Sequence, residues 1–246
     1  MGNAVSARIL ELRHVEPEGP AAYLPVLHEY AEVETVRLWQ EPVPQGRDFS
    51  AVVVMGGPMG ANDGGQLPWI DEEIAFLRAA VAAGTPVWGV CLGAQLLAAA
   101  LGARVQAGPR PEVGVLPVRL TGDGAADPVW GGLPVSFPVL QWHSDTFELP
   151  AESVLLASSP QYPHQLFRHG NSYGVQFHLE ADAALAGQWL GIEDYRQALE
   201  QVLGPGAAPD VLAALRQVEA GMVQHAQSAI RRWLENCGLP GPRPRI

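Results

Sequence analysis

Three side chains in this sequence have the types and placement of a covalent catalyst: a cysteine at position 91, a histidine at 178 and a glutamate at 180. Cys91 lies in Gly-Val-Cys-Leu-Gly, inside the stretch TPVWGVCLGAQLLAAALG from Thr85 to Gly102. An apolar run rich in β-formers ends at the thiol, and an alanine- and leucine-rich helical pattern begins at once. Glycines on both sides of a residue at a strand-to-helix turn permit the tight conformation that a nucleophile elbow needs. A thiol so placed stands at the carboxyl end of a sheet, where open α/β folds bind ligands. The helix beginning at Leu92 adds an N-terminal dipole that lowers a thiol pKa, and backbone N–H groups that can receive a developing oxyanion. Free cysteine is also among the most buried residue types, so the elbow alone leaves a plain core cysteine as an equal reading.

The segment YGVQFHLEAD shifts that balance. A strand pattern runs to His178, and Glu180, two residues on, shares its face. A thiol nucleophile needs a base to deprotonate it, and the imidazole needs an acceptor to fix its tautomer and stabilise its charged form. A third element, VVVMGGPMGAND, runs a strand into Gly56, Gly57 and Gly60. Glycine lets backbone come close to a ligand, so this loop can offer a second oxyanion N–H, although Gly-Gly-Pro also suits an ordinary turn.

The elements that must hold these residues alternate. ARILELRHV reads as a strand and GPAAYLPVLHEYAEV as a short helix; VETVRLW and SAVVVMGG are strands, the second apolar without alternation, as in a central parallel strand covered on both faces. LPWIDEEIAFLRAAVAAG is a helix with early acids and a final glycine. PVWGVC and LGAQLLAAALG repeat the strand–helix pair. From about Arg110 short extended pieces follow, GVLPVRL, VSFPVLQW, SVLLASS, HQLFRHG and SYGVQFHLE, either joining the same sheet or forming a smaller one beside it. Beyond Ala181 the pattern is helical, and the tail LPGPRPRI is expected to fray or lie along the surface. The fold class is therefore α/β, an open mostly parallel sheet flanked by helices, with a small β extension and C-terminal helices.

Composition narrows the chemistry. The chain has 246 residues, 48% of them hydrophobic, enough for a substantial core. No apolar run reaches membrane-span length and the N-terminus lacks a secretory signal, so the expectation is a soluble, cytoplasmic protein without membrane partners. MGNAVS fits the short N-myristoylation pattern, but no adjacent basic patch supplies a second anchor. Fifteen basic residues against 26 acidic ones give a net charge of −11, which would repel nucleic acid. All the basic residues are arginine, so a P-loop lysine, a Schiff-base lysine and a lysine general base are excluded. The two cysteines, Cys91 and Cys237, have no CxxC spacing, and Cys237 reads as a bystander at a helix end. Arg231 and Arg232 suit a helix C-terminal dipole. His143, Asp145, His164 and His169 match no strong ligand spacing, so no metal is expected.

Taken together, GGPMG, GVCLGAQLLAAALG and GVQFHLE, in that order, resemble the class I glutamine amidotransferase family of the Cys-His-Glu triad type, closest to stand-alone members that look like the amidotransferase domain of GMP synthase. The resemblance runs from the first strand to about Trp189. It implies a domain over residues 1–190, with 191–246 a helical extension packed on it. It implies Cys91 as nucleophile on the γ-carbonyl of glutamine or a γ-glutamyl compound, His178 as base and then acid, and Glu180 as its orienter. The family's oxyanion hole maps to the N–H groups of Gly57 and Leu92, and substrate contacts map to Gln95 and, mainly through backbone, to Trp142, Ser144 and Asp145. No cofactor is implied. Many members read His-Pro-Glu where this chain has His178-Leu179-Glu180, and leucine keeps strand geometry. The residues after the triad carry no glycine-rich phosphate loop, so released ammonia would pass to a separate synthetase subunit or to water. Two other readings remain: a dienelactone-hydrolase-like cysteine hydrolase, against which the close His-x-Glu counts, and a partner-gated or non-catalytic module that retains the fold.

Overall fold

The structure, a computed structural model, describes residues 7–46 and 48–241. The MGNAVS pattern and the tail from Pro242 to Ile246 lie outside the described residues. The strands are β1 (Arg8–Arg13), β2 (Glu32–Arg37), β3 (Ala51–Val54), β4 (Val87–Val90), β5 (Val105–Leu120), β6 (Ser136–Phe147), β7 (Val154–Ser158), β8 (Leu166–His169) and β9 (Ser172–Val175). The helices are α1 (Leu24–Tyr30), α2 (Pro68–Ala82), α3 (Leu92–Ala100), α4 (Gly122–Ala126), α5 (Ala183–Trp189), α6 (Glu193–Leu203) and α7 (Ala208–Asn236).

The nine strands among the described residues form one sheet in the order β2-β1-β3-β4-β9-β8-β7-β5-β6. The first five pair in parallel and the remaining pairings are antiparallel, so the later strands extend the same sheet. The central strands AVVV and VWGV are buried throughout, as their unbroken apolar runs require when helices cover both faces. Their side chains alternate between two cores. Ile9, Val53 and Trp88 join α1, α5 and α7 on one face, whereas Leu10, Val52, Val54 and Val87 meet α2 and α3 on the other.

Trp88 is the hub of the first face, with ring centroids 5.7 Å from Trp130, 5.7 Å from Tyr173 and 5.4 Å from Trp233. Trp233 comes from α7 and donates its indole N–H to Asn171 O at 2.8 Å, which ties the C-terminal helix to the β8–β9 turn. Arg231 and Arg232 lie more than a turn before the end of α7 rather than at it: Arg231 pairs with Glu29 at 2.7 Å, and Arg232 reaches Val129 O. The helix runs on because Trp233 and Leu234 keep its apolar face buried. Among the described residues no helix is long and apolar enough to cross a membrane.

Parallel strands present their carboxyl ends at one edge. The chain reverses winding direction between β1 and β3, so the loops after β1, β3, β4 and β9 border a crevice there. They carry His14 and Glu18, Gly56 and Gly57, Cys91, and His178 with Glu180.

Candidate active site

Cys91 occupies the junction between β4 and α3 with φ 51° and ψ −107°, a conformation that costs a non-glycine residue about 1–3 kcal/mol and persists only when its surroundings impose it. Its N–H donates to Val175 O at 2.7 Å, pinning the turn to β9. The flanking glycines serve close approach. A Cβ on Gly89 would lie 2.6 Å from the Gly93 carbonyl carbon, and one on Gly93 would lie 2.8 Å from the Val54 carbonyl carbon. The positive φ is the cysteine's own. As N-cap residue of α3, Cys91 is followed by Leu92, whose N–H is among those without an intrahelical acceptor.

β9 stops at Val175, short of the histidine. Its parallel neighbour β4 turns into α3 at Cys91, so the chain past Val175 leaves that ladder and crosses to β6. There His178 makes an isolated antiparallel bridge with Leu140, its N–H donating to Leu140 O at 2.9 Å. The histidine and glutamate therefore meet in a segment beyond the strand, not on one strand. His178 Nδ1 lies 2.6 Å from Glu180 Oε1, and both residues are only 2% exposed. Burial alone would lower the His178 pKa. The Glu180 carboxylate and the Cys91 thiol beside the ring outweigh it and hold the imidazole well above its usual range. The edge of Trp189 packs on that ring at 4.7 Å, and its indole N–H donates to Pro17 O at 3.0 Å.

Seven of the nine residues singled out from the sequence line one cleft: Gly57, Cys91, Leu92, Gln95, Trp142, Ser144 and Asp145. His178 and Glu180 stand behind Cys91. Gly57 is close to the helix start, since a Cβ on it would lie 3.0 Å from Leu92 Cδ2. Gln95 donates to Gln176 Oε1 at 3.2 Å, and Gln176 in turn reaches Cys91 Sγ at 3.7 Å. Trp142 turns its carbonyl toward Cys91 Sγ at 4.0 Å and donates its indole N–H to Tyr195 O at 3.1 Å. Ser144 O accepts from Tyr162 OH at 3.1 Å. Burial and neighbouring Asp63 raise the Asp145 pKa, against the pull of His143.

His143 also lines the cleft, with Nδ1 3.1 Å from Asp145 O, and each of the three candidate-ligand histidines has its own partners. His143 faces Gln141 and Glu112, His164 bonds Phe147 O, and His169 meets Ser153. Cys237 caps α7, and burial pushes its thiol up to about 12, which favours the protonated form over the nucleophilic thiolate.

Several residues at the site were not singled out from the sequence, although Gln176 lies inside the GVQFHLE motif. Glu18, 2% exposed, accepts a hydrogen bond from Tyr195 of α6. Burial raises its pKa, while His178, Tyr195 and His14 oppose the rise. The signal was present: Glu18 follows β1 at the same sheet edge as Cys91. Gln176 lies two residues before His178, and Trp189 and Tyr195 arrive from helices far along the chain.

A family model, glutamine amidotransferase class-I, matches residues 25–191. The chain is 30% identical over 200 residues to the glutamine amidotransferase-like protein YfeJ of Salmonella typhimurium, an alignment covering 80% of this chain and 81% of that protein. It is 34% identical over 160 residues to the glutamine-hydrolyzing GMP synthase of Thermomicrobium roseum, 60% of this chain but 28% of the synthase. Among solved structures, a glutamine amidotransferase of Thermotoga maritima matches with TM-score 0.83 at 29% identity, covering 94% of this chain and 99% of its own. One from Methylobacillus flagellatus matches with TM-score 0.82 at 28% identity, covering 98% of each chain.

Proposed function

The chain belongs to the glutamine amidotransferase class-I family, and on that premise we propose that it hydrolyses the γ-amide of glutamine, or of a γ-glutamyl compound, through a thioester at Cys91. The observation that carries the proposal is the strained Cys91 opening on the cleft with the charged-form-favouring His178–Glu180 pair at its back. Cys91 Sγ attacks the γ-carbonyl carbon as His178 takes the thiol proton, and the N–H groups of Gly57 and Leu92 receive the oxyanion. His178 then gives that proton to the departing nitrogen, and ammonia or an amine leaves. A water deprotonated by His178 attacks the thioester, the carbon–sulfur bond breaks, and glutamate departs as the proton returns to sulfur.

The cleft's polarity supports an amino-acid substrate. Asp145 and Asp194 line it, and among the described residues no arginine does, which suits an α-ammonium group. Backbone at Trp142 and Ser144 and the Gln95 side chain complete the substrate contacts. In this reading residues 191–246 are a helical extension of a 1–190 amidotransferase domain, and Tyr195 brings that extension to the cleft wall. The chain spans 28% of the Thermomicrobium roseum GMP synthase and 25% of the Lactococcus lactis one, both glutamine-hydrolyzing by name; amide hydrolysis, with an ammonia-accepting synthetase subunit as partner, is proposed on that likeness.

The test is ammonia and glutamate release from glutamine and from a panel of γ-glutamyl compounds, by wild type and Cys91→Ala. Cys91-dependent release supports the proposal and the panel ranks substrates. Release that survives Cys91→Ala, or none from any compound by the folded wild type, refutes it.

A further inference from the structure

His14 and Glu73 form a fully buried pair that the thioester chemistry does not use, each 0% exposed. His14 follows the end of β1 and Glu73 lies in α2. Nε2 of His14 is 3.0 Å from Glu73 Oε2 and 3.2 Å from Oε1, and Nδ1 is 2.9 Å from Gly56 O. A backbone carbonyl can only accept, so Nδ1 carries a proton and donates to Gly56 whichever partner holds the second proton of the pair. Trp69, one turn before Glu73 on α2, stacks on the imidazole at 5.6 Å and 18°, so a single helix fixes both the plane of the ring and its far nitrogen.

That donor acts on one peptide. A peptide unit is planar and trans, so its C=O and N–H point to opposite edges. With Gly56 O turned into the buried side toward His14, the N–H of Gly57 is turned the other way, toward the cleft that Gly57 lines with Cys91. The loop itself cannot enforce this choice, because two successive glycines populate both signs of φ and allow the peptide to flip. Space forbids side chains that would stiffen it. A Cβ on Gly57 would lie 2.9 Å from His14 Cβ and 3.0 Å from Leu92 Cδ2.

We propose that His14 and Glu73 are positioning residues that lock the Gly56–Gly57 peptide with its N–H facing Cys91, making the oxyanion site a property of the resting fold. The inference rests on the thioester reading for its catalytic consequence, but the peptide's orientation is testable without turnover. The raised pKa of His14, driven by Glu73 and the Gly56 carbonyl against burial, agrees with a ring that donates from both nitrogens.

The sequence makes the orientation measurable, because it holds three Gly–Gly peptides, at 56–57, 64–65 and 131–132. A sample labelled with ¹³C-carbonyl and ¹⁵N in glycine alone therefore gives three carbonyl–amide NMR correlations. The variant His14→Phe with Glu73→Leu removes the donor without leaving a buried charge unpaired, a replacement that cores often tolerate. It is expected to fold, to shift or broaden the 56–57 correlation alone, and to lose about 10²–10³-fold in kcat with KM little changed. Alkylation of Cys91 by iodoacetamide, which displaces iodide at carbon and develops no oxyanion, should keep its wild-type rate. Glu73→Gln is the conservative control: a neutral His14 keeps its Nδ1 proton while the introduced side-chain amide donates to Nε2, so the correlation and most of kcat should remain.

A folded double variant with an unmoved 56–57 correlation and full kcat overturns the proposal, as does a Glu73→Gln enzyme that falls as far as the double variant. In the wild type, a slowly exchanging His14 Nδ1 proton coupled across its hydrogen bond to the Gly56 carbonyl carbon is required, and its absence overturns the proposal even if no variant folds. A wild type that releases no ammonia sinks the hydrolase reading instead, and the correlations still decide the peptide's orientation.

Discussion

Gly93→Ala tests how closely the site depends on contact between α3 and β3. An alanine Cβ at 93 would lie 2.8 Å from the Val54 carbonyl carbon, about 0.7 Å inside the separation at which carbon atoms attract. Neither partner is a flexible side chain. Val54 ends β3, and the chain runs from it through Met55 into Gly56 and Gly57; Gly93 follows Leu92 in the first turn of α3. The added methyl must therefore drive apart the two backbone segments that carry Gly57 on one side and Cys91 and Leu92 on the other, the residues proposed to form the oxyanion site and the nucleophile. Overpacking of this kind costs about 1–3 kcal/mol. The gain in helix propensity returns up to about 1 kcal/mol. A net loss of about 1–2 kcal/mol is expected in urea unfolding. A displacement approaching 1 Å at the reacting groups is expected to cost about 10²-fold in glutamine hydrolysis. Gly221→Ala is the control: Gly221 lies inside α7 with nothing within 4 Å of an added Cβ, so alanine should stabilise by about 0.4–1 kcal/mol and leave turnover alone. A Gly93→Ala protein as stable and as active as wild type would refute the claim that close approach of α3 to β3 builds the site.

Glu180→Gln removes the carboxylate that fixes and charges His178, and should lower kcat by about 10²-fold or more. NMR titration of the His178 ring should show its pKa falling toward the ordinary value, and an unmoved pKa would contradict the assigned cause. The raised pKa values of His178 and His14 mean that the fold binds those protons more tightly than the unfolded chain does. Their stabilisation is full below pH 6.5 and is lost as pH rises through the folded values. Glu18, also raised, adds a loss of the same sign that begins lower. Unfolding free energy should therefore decline from pH 6.5 to pH 9, the ordinary value of Cys237, and a rise across that window would contradict the burial and pairing described. Trp233→Ala should cost about 3–5 kcal/mol by emptying the space against Trp88, and calorimetry showing less than about 1 kcal/mol would mean that α7 is not anchored there.

The parts of this molecule that were legible in its sequence are those whose cause is local. The unbroken apolar runs of β3 and β4 announced parallel strands, and the elbow around Cys91 was readable because strand, thiol and helix start adjoin in the chain. His178 and Glu180 were readable from their spacing, but the end of β9 at Val175 was not, because it depends on where β4 turns into α3. Residues joined only by the fold stayed hidden. His14 meets Glu73 across 59 positions and Tyr195 meets Glu18 across 177, and no periodicity links either pair. The rule that ligands bind at strand carboxyl ends would have nominated His14 and Glu18, since both follow β1 directly. It could not have supplied the partners on α2 and α6, whose placement is decided by how those helices pack on the sheet.

Mass spectrometry of acid-quenched enzyme mixed with glutamine, or with the best γ-glutamyl compound of the panel, would trap the Cys91 thioester itself. A glutamyl adduct is expected on the peptide containing Cys91, absent from the Cys91→Ser variant and discharged by hydroxylamine, as a thioester is. Steady ammonia release with no adduct on that peptide at any quench time, or an adduct carried by Cys237 instead, would contradict the Cys91 thioester.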